Sequence, residues 1–198
     1  MTDLKNKTGS KTGFSRRDFF RGSGAIAAAT ALHSQTTEVA RGALLVDGET
    51  SLTLNVNGKD RTVSVEPRTT LLDVLRYQLD LTGAKPVSLD GSSGASTVFV
   101  DGKPMSASTI LALQAKGKKI QTIEGLGDDT VPEAFVEHDA QQCGFCTPGF
   151  VMAVRALLNK NPKASEAEIR KGLNGNICRC GTYANIIQAA VSIAKGGN

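Results

Sequence analysis

Aromatic residues are scarce in this 198-residue chain, which has no Trp, two Tyr and seven Phe. Proteins that bind single-stranded nucleic acid stack bases on aromatic rings, so the shortage argues against that function. Long apolar runs are also missing. The most apolar stretch near the N-terminus, around residues 25–32, is short and rich in Ala and Gly, so we expect no permanent transmembrane anchor.

Net charge is concentrated in one segment of the chain. The sequence has 23 Lys and Arg against 19 Asp and Glu, a formal charge of +4. Residues 1–43 contain seven basic and three acidic residues, so this segment accounts for the whole excess and the rest is neutral. A neutral body lacks the basic surface that attracts nucleic acid. We therefore expect no nucleic-acid partner.

Residues 1–43 resemble a twin-arginine export signal and its leader. A polar, basic start is followed by SRRDFF at residues 15–20 and then by the weakly apolar stretch. The alternative is a basic tail in which two arginines adjoin by chance. Cleavage after Ala31 and cleavage near Ala43 both fit the sequence. An export signal predicts a periplasmic protein. Signals of this kind carry proteins that have already folded, often around a cofactor, before they cross the membrane.

Residues 50–124 have the pattern of a small mixed sheet packed on one helix. Apolar residues alternate on both sides of Asn57-Gly58, a dipeptide that tolerates positive φ, which predicts a β-hairpin. Thr69 or Thr70 caps a predicted helix that ends near Thr82-Gly83. The further predicted elements are a Gly- and Ser-rich loop over residues 87–96 and strands over residues 97–100 and 119–123.

Residues 130–196 are predicted to be helical, after a linker over residues 124–132 that contains Gly, Asp and Pro. Thr147-Pro148 supplies a capping hydroxyl and a first-turn proline, and Ser165 with Glu168 forms a capping box. Helices are thus predicted over residues 132–140, from 147, from 165 and over 183–194. The fold class is α+β, a sheet domain followed by a four-helix domain.

All four cysteines lie in the helical segment, as Cys143-Gly144-Phe145-Cys146 and Cys178-Arg179-Cys180. Four thiolates that converge on one point suit either a [2Fe-2S] cluster or zinc. Zinc sites favour pairs separated by two to four residues, and the second pair here is separated by one, which favours iron–sulfur. Two structural disulfides and a redox-active C-x-x-C remain as alternatives.

The sequences around these cysteines resemble a known family. QCGFCTPG at residues 142–149 and CRCGTY at residues 178–183 resemble the C-terminal cluster domain of the molybdenum hydroxylases, the family of xanthine dehydrogenase, aldehyde oxidoreductase and carbon monoxide dehydrogenase. The resemblance runs from about residue 52 to 194 and is nearest to separate small subunits of periplasmic aldehyde oxidoreductases. It implies a β-grasp, ferredoxin-like domain over residues 50–124 and a four-helix [2Fe-2S]-binding domain over residues 130–196.

The resemblance also implies the site residues and partners. Cys143, Cys146, Cys178 and Cys180 would be the metal ligands of one [2Fe-2S] cluster. Gln142 and Cys180 correspond to residues beside the pterin of a molybdopterin cofactor, which a separate large subunit would hold. Electrons would leave for a flavin subunit or a cytochrome. The implied function is an iron–sulfur electron-transfer subunit of an oxidoreductase, with no catalytic residue of its own.

The sequence departs from the family pattern in the ferredoxin domain. That domain binds a second cluster through C-x4-C-x2-C and a later cysteine. This chain has serine at all four positions: Ser88, Ser93, Ser96 and Ser108. A hydroxyl is a much weaker acid than a thiol, and iron–sulfur clusters select deprotonated soft sulfur, so we predict no cluster in this domain. Because neighbouring residues such as Val87 and Leu89 have changed too, natural loss is favoured over engineered substitution.

Three functions remain open from the sequence alone. The first is the electron-transfer subunit, the second a scaffold subunit with no working relay, supported by the serines, and the third a free-standing zinc or thiol protein. The two histidines do not suggest a metal site: His33 lies in the leader, and His138 is expected to pack at an interface rather than bind metal. Aldehydes are the substrate class that the resemblance suggests.

Overall fold

A five-stranded mixed sheet forms the first half of residues 47–196, the part of the chain that the computed structural model describes. The strands are β1 (Thr50–Val56), β2 (Lys59–Val65), β3 (Thr97–Val100), β4 (Lys103–Ser106) and β5 (Lys119–Gln121). They lie in the order β2-β1-β5-β3-β4, with β1 and β5 parallel and all other neighbours antiparallel. The predicted export signal lies outside the described residues.

The hairpin between β1 and β2 forms as the alternating pattern predicts. Val56 pairs with Lys59 across a two-residue turn. Asn57 and Gly58 in that turn have φ values of 51° and 75°. Positive φ at both central residues gives the turn whose twist matches the twist of the flanking strands. The apolar residues of the two strands then face one side, where Leu52, Leu54, Val56, Val63 and Val65 are buried.

The first helix is shorter than predicted. It begins as α1 (Leu71–Asp73), capped by the Thr70 hydroxyl, and continues as a π-helix over Val74–Gln78. The prediction that it extends to Thr82-Gly83 is wrong. Asp80 has a φ of 56°, a left-handed conformation that ends the helix although the apolar spacing continues beyond it.

Strand β4 was not predicted from the sequence. It pairs with β3 at the edge of the sheet, and its residues Lys103 to Met105 are exposed. A strand that buries no face has no alternating pattern, and Pro104 is tolerated because an edge strand leaves some N–H groups unpaired. Strand β5 ends at Gln121, two residues before the predicted end, because a 3₁₀ turn over Ile123–Gly125 follows.

The second half of the described chain is helical. Its helices are α2 (Thr130–Glu137), α3 (Thr147–Lys160), α4 (Glu166–Gly172) and α5 (Tyr183–Ala194). Helix α2 begins two residues earlier than predicted because Asp129, rather than Pro132, marks its start, accepting a hydrogen bond from the Val131 N–H. The predicted capping box of Ser165 and Glu168 is present at α4. The structure is thus a mixed α/β protein.

Each half has its own apolar core. In the sheet half the buried face of the sheet packs on α1, and a short 3₁₀ helix (Ala112–Ala115) adds two buried alanines to the same core. In the helical half α2 to α5 bury a second set of apolar side chains, including Phe135, Phe150, Val154, Ile169 and Ile186. Helix α3 also packs on β3 and β4, so the halves share an interface.

The described helices are too short and too polar to include one that could cross a bilayer.

The start of α2 is fastened to α3 by a largely buried ion pair, which gives a stability prediction. The Asp129 carboxylate accepts hydrogen bonds from the Val131 N–H at 2.8 Å and from Arg155 at 2.5 Å. Replacing Asp129 by Ala removes the cap and leaves a guanidinium without its charge partner. We expect a loss of about 2–4 kcal/mol in the free energy of unfolding, measured by urea titration.

Two matched variants control this experiment. Asp129→Asn keeps an N-cap acceptor and should lose less than Asp129→Ala. Asp128→Ala removes an exposed carboxylate next to it and should stay within about 0.5 kcal/mol of the parent chain. Equal losses for Asp128→Ala and Asp129→Ala would contradict the role assigned to the ion pair.

Candidate metal centre

The two cysteine pairs lie in loops that lead into helices. Cys143 and Cys146 belong to the loop between α2 and α3, and Cys146 directly precedes the first residue of α3. Cys178 and Cys180 belong to the loop between α4 and α5, where Thr182 precedes the first residue of α5. The N-terminal end of a helix carries partial positive charge, which favours a thiolate over a thiol. Both loops therefore suit ligands that must be deprotonated.

The four cysteine side chains form two interacting pairs. Hydrogen bonds between the thiols shift the pKa values within the pairs Cys143–Cys180 and Cys146–Cys178, and charge repulsion acts between the two pairs as well. All four are free thiols. Between residues 47 and 196, no three Cys, His, Asp or Glu side chains converge closely enough to surround one metal ion. Two loops that each supply two cysteines match the four thiolates that a [2Fe-2S] cluster needs.

The inner pair, Cys146 and Cys178, has pKa values shifted in opposite directions. Burial raises the pKa of Cys146 to about 12, and the neighbouring Cys178 adds to this. Burial alone would also raise the pKa of Cys178. Hydrogen bonds from the Thr182 hydroxyl and backbone N–H outweigh that effect and lower the pKa to about 7. One thiol of the pair therefore ionises readily while the other resists.

The outer pair, Cys143 and Cys180, also has pKa values shifted in opposite directions: that of Cys143 is lowered and that of Cys180 is raised. The backbone N–H of Phe145 and the Cys180 thiol lower the pKa of Cys143. The backbone N–H of Cys143 would lower the pKa of Cys180, but the Cys143 thiol and partial burial raise it overall. Four thiolates so close together repel each other. All four ionise together only when positive charge is bound among them.

Thr182 and Tyr183 hold the Cys178 end of the site. The Thr182 hydroxyl oxygen lies 3.1 Å from the Cys178 sulfur. The Cys178 N–H donates to the Tyr183 hydroxyl at 2.7 Å, and the Tyr183 ring packs edge-on against Phe150. Both residues belong to the CRCGTY segment, but no local sequence pattern indicates these hydrogen bonds, which depend on the fold of the loop.

The outer side of the site is exposed and partly apolar. Gln142 and Cys143 are exposed, and Cys180 is partly buried beside Cys143. Large apolar side chains flank the cysteines in sequence: Phe145 is 49% exposed, Ile177 54% and Tyr183 41%. Exposed large apolar side chains next to polar groups are typical of a surface that a partner protein covers. The placement of Gln142 and Cys180 beside a pterin stays a prediction.

The four serines predicted at the lost cluster positions come together in the sheet half. Residues 88–96, here called the serine loop, carry Ser88, Ser93 and Ser96. The Ser88 and Ser93 hydroxyls are 2.7 Å apart, and the Ser96 hydroxyl donates to Ser108 at 3.1 Å. Ser93, Ser96 and Ser108 are buried. The loop therefore brings these side chains into two pairs, as the cysteines are paired in the helical half.

A fifth serine, Ser106, completes this group and was not predicted from the sequence. Its hydroxyl lies 2.9 Å from that of Ser96 and 3.0 Å from that of Ser108. It was missed because β4, where it lies, has no strand pattern. The buried hydroxyls thus satisfy one another's hydrogen bonds, as buried polar groups require.

The histidines contribute little to the site. His138 is half-buried at the end of α2, where its backbone N–H donates a hydrogen bond to the Ala134 carbonyl. It belongs to no group of three potential ligands in the described part of the chain. His33 lies outside the described residues.

Sequence comparisons agree with this geometry. Residues 122–191 match the [2Fe-2S] binding domain, and residues 13–33 match the twin-arginine translocation signal sequence. The chain is 40% identical over 202 residues to the aldehyde oxidoreductase iron-sulfur-binding subunit PaoA of Escherichia coli (strain K12), covering 91% of this chain and 88% of that protein. It is 41% identical over 148 residues to the nicotinate dehydrogenase small FeS subunit of Eubacterium barkeri. That match covers 73% of this chain and 94% of that protein.

The chain belongs to the small iron–sulfur subunits of the molybdenum hydroxylases. The solved structures agree. Quinoline 2-oxidoreductase from Pseudomonas putida 86 matches with a TM-score of 0.69 and 39% identity, covering 76% of this chain and 99% of that chain. Aldehyde oxidoreductase from Desulfovibrio desulfuricans ATCC 27774 also matches with a TM-score of 0.69 and 39% identity. That match covers 73% of this chain and 17% of that longer chain.

Membership in this family confirms several predictions. The cofactor is a [2Fe-2S] cluster, and the molybdopterin cofactor belongs to a partner subunit. The twin-arginine signal confirms export to the periplasm. The identities of the individual ligands and the loss of the second cluster stay predictions.

Proposed function

We propose that this iron–sulfur subunit carries electrons through a single [2Fe-2S] cluster held by Cys143, Cys146, Cys178 and Cys180. The observation that carries the proposal is the presence of four free thiols, in two pairs, inside the segment that matches a [2Fe-2S] binding domain. When bound, a [2Fe-2S] cluster accepts and releases single electrons at a potential set by its surroundings. This chain would supply the thiolates, their hydrogen bonds and their burial.

The finer architecture follows from the same resemblance. We assign residues 50–124 to a β-grasp, ferredoxin-like domain and residues 130–196 to a four-helix [2Fe-2S]-binding domain. The mixed sheet packed on α1 and the four helices α2 to α5 support this division.

The donor set fits two irons better than the alternatives. Zinc sites favour cysteine pairs separated by two to four residues, whereas Cys178 and Cys180 are separated by one. A disulfide framework would pair the sulfurs covalently, whereas all four are free. The hydrogen bond that Thr182 can donate to Cys178 is of the kind that stabilises sulfur ligands of iron.

The sheet half is proposed to hold no cluster. Its serine side chains already use their hydroxyl groups in mutual hydrogen bonds. Neutral hydroxyl pairs gain nothing from a soft metal centre, because ligation would require them to lose protons that they hold far more tightly than thiols do. Electrons would therefore enter and leave the subunit through one cluster.

The partner is proposed to be a large subunit that holds molybdopterin, with Gln142 and Cys180 at the edge nearest the pterin. The exposed positions of Gln142 and Cys143, and of the apolar Phe145 side chain that follows them, support a contact here. An aldehyde is the proposed substrate of the complex, since an aldehyde oxidoreductase subunit matches over most of the chain. A flavin subunit or a cytochrome is the proposed acceptor.

Metal analysis tests the single-cluster proposal directly. We expect about two irons and two acid-labile sulfides per chain, with one paramagnetic resonance signal after dithionite reduction. Replacing Cys146 by Ala should abolish both iron and signal, whereas Ser108→Ala should leave the iron content unchanged, because the serines would hold no metal.

Each other result has a definite meaning. About four irons with two signals would show that serines ligate a second cluster and would overturn the single-cluster proposal. A chain without iron would support a scaffold subunit, and about one zinc per chain would support a zinc protein.

Thr182 should raise the reduction potential of the cluster. A metal-bound Cys178 has no proton, so the Thr182 hydroxyl, 3.1 Å from the sulfur, must be the donor. Such a bond stabilises the reduced, more electron-rich state more than the oxidised one. Thr182→Val should lower the potential by tens of millivolts, on the order expected for one lost hydrogen bond. A dye-mediated titration followed by visible absorbance measures this.

The conservative variant separates this effect from packing. Thr182→Ser keeps the hydroxyl and should restore the parent potential. Neither variant removes a helix cap, because the Thr182 side chain makes no capping hydrogen bond to α5. Equal reduction potentials for Thr182→Val and Thr182→Ser would show that the Thr182 hydroxyl does not change the potential of the cluster.

A further inference from the structure

The serine loop contacts the segment that carries Cys178. The Ile177 N–H donates to the Ser93 carbonyl at 3.1 Å. The Asn176 side-chain amide donates to the Gly94 carbonyl at 3.2 Å. Asn176 and Ile177 directly precede Cys178 in the chain. Two hydrogen bonds thus join the middle of a loop in the sheet half to the residues that lead into a ligand position in the helical half.

The contact between these segments is close as well as hydrogen-bonded. A methyl group added at Gly94 would lie 2.5 Å from the carbonyl oxygen of Gly175 and 2.5 Å from the Asn176 amide nitrogen. On its other side the Gly94 carbonyl packs against Gly149, in the first turn of α3 and three residues after Cys146. The loop therefore touches the chain next to both members of the inner cysteine pair.

The serine loop is itself fastened to the sheet half. The Ser88 hydroxyl accepts a hydrogen bond from the Ser93 N–H at 3.0 Å. The Ser96 hydroxyl bonds to Ser106 and Ser108, and the Ala107 N–H donates to the Ser96 carbonyl at 3.0 Å. These bonds fix both ends of the loop without a metal. A loop held in this way can position whatever packs against its middle.

We propose that the serine loop is a metal-free support that holds the Cys178 segment in the position needed for cluster binding. The proposal rests on the proposed function, because it requires a cluster on the four cysteines. It gives the sheet half a task other than electron transfer. The loop touches no ligand side chain. It acts through backbone carbonyls on the residues that precede Cys178.

Two glycines provide a matched test, one in the serine loop and one outside it. Gly94 and Gly117 both have positive φ, 68° and 74°, so Ala at either position carries a similar backbone strain. The added methyl at Gly94 meets Gly175 and Asn176, in the helical half, whereas at Gly117, which precedes β5, it meets nothing within 4 Å. Only Gly94→Ala should push the Cys178 segment away.

The readouts are iron release and the paramagnetic resonance spectrum of the reduced, full-length protein. Release of iron to an excess of a ferrous chelator is followed by absorbance, at a temperature where circular dichroism shows both variants folded. We expect Gly94→Ala to release iron at least about five-fold faster, the size of effect that one lost hydrogen bond predicts, and to shift the g values. Gly117→Ala should match the parent chain in both measurements. Equal effects of the two variants, or no effect of either, would overturn the proposal.

A second pair of variants covers the case in which Gly94→Ala does not fold. Asn176→Ala removes the amide that bonds to Gly94 without adding bulk, and Asn174→Ala removes an exposed amide two residues away. Asn176→Ala should speed iron release about five-fold and Asn174→Ala should not. Iron content of the parent chain separates the two levels of failure. A parent chain without iron refutes the proposed function, whereas a loaded parent with unchanged Asn176→Ala kinetics refutes the support role alone.

Discussion

Repulsion among four thiolates is the constraint on which the helical half depends. The cysteines come from two loops, and their sulfurs must ionise while lying in close pairs. The opposite pKa shifts within each pair, to about 12 for Cys146 and about 7 for Cys178, show how far the bare thiols are from ionising together. An iron cluster on these thiols, as proposed, would supply the opposing positive charge, so its binding would contribute to the folding free energy. On the protein side, the hydrogen bonds from Thr182 favour ionisation of Cys178.

The sheet half also brings polar side chains close together, but they carry hydroxyl groups instead of thiols. Its loop brings serine hydroxyls together in pairs, much as the helical half pairs its thiols. A hydroxyl both donates and accepts, so neutral serines at hydrogen-bond distance attract one another, whereas thiols are weak partners and thiolates repel. Paired serine hydroxyls therefore stabilise this loop without a metal. Ser106 adds a third hydroxyl to the Ser96 and Ser108 pair.

The sequence predicted those elements whose local signal agrees with their tertiary role. Asn57-Gly58 determined the hairpin, Ser165 with Glu168 determined the start of α4, and the cysteine segments identified the site. Strand β4 was not predicted because an exposed edge strand buries no face and therefore has no alternating apolar pattern. The first helix was predicted too long because apolar spacing does not report the left-handed Asp80 that ends it. Contacts that join distant segments, such as Thr182 with Cys178 or Asn176 with Gly94, have no local pattern, and only the fold shows them.

Export by the twin-arginine route makes the order of folding matter. Since the signal carries folded proteins, a cluster in the helical half would be inserted before the chain leaves the cytoplasm. A chain with two clusters would need two metal insertions in that time. In the proposed single-cluster protein, hydroxyl pairs hold the serine loop, and its Ser93 and Gly94 carbonyls bond to the Cys178 segment without a metal in the sheet half. The proposed loss of one cluster would thus reduce assembly to a single metal insertion, at the expense of a second relay point for the electron.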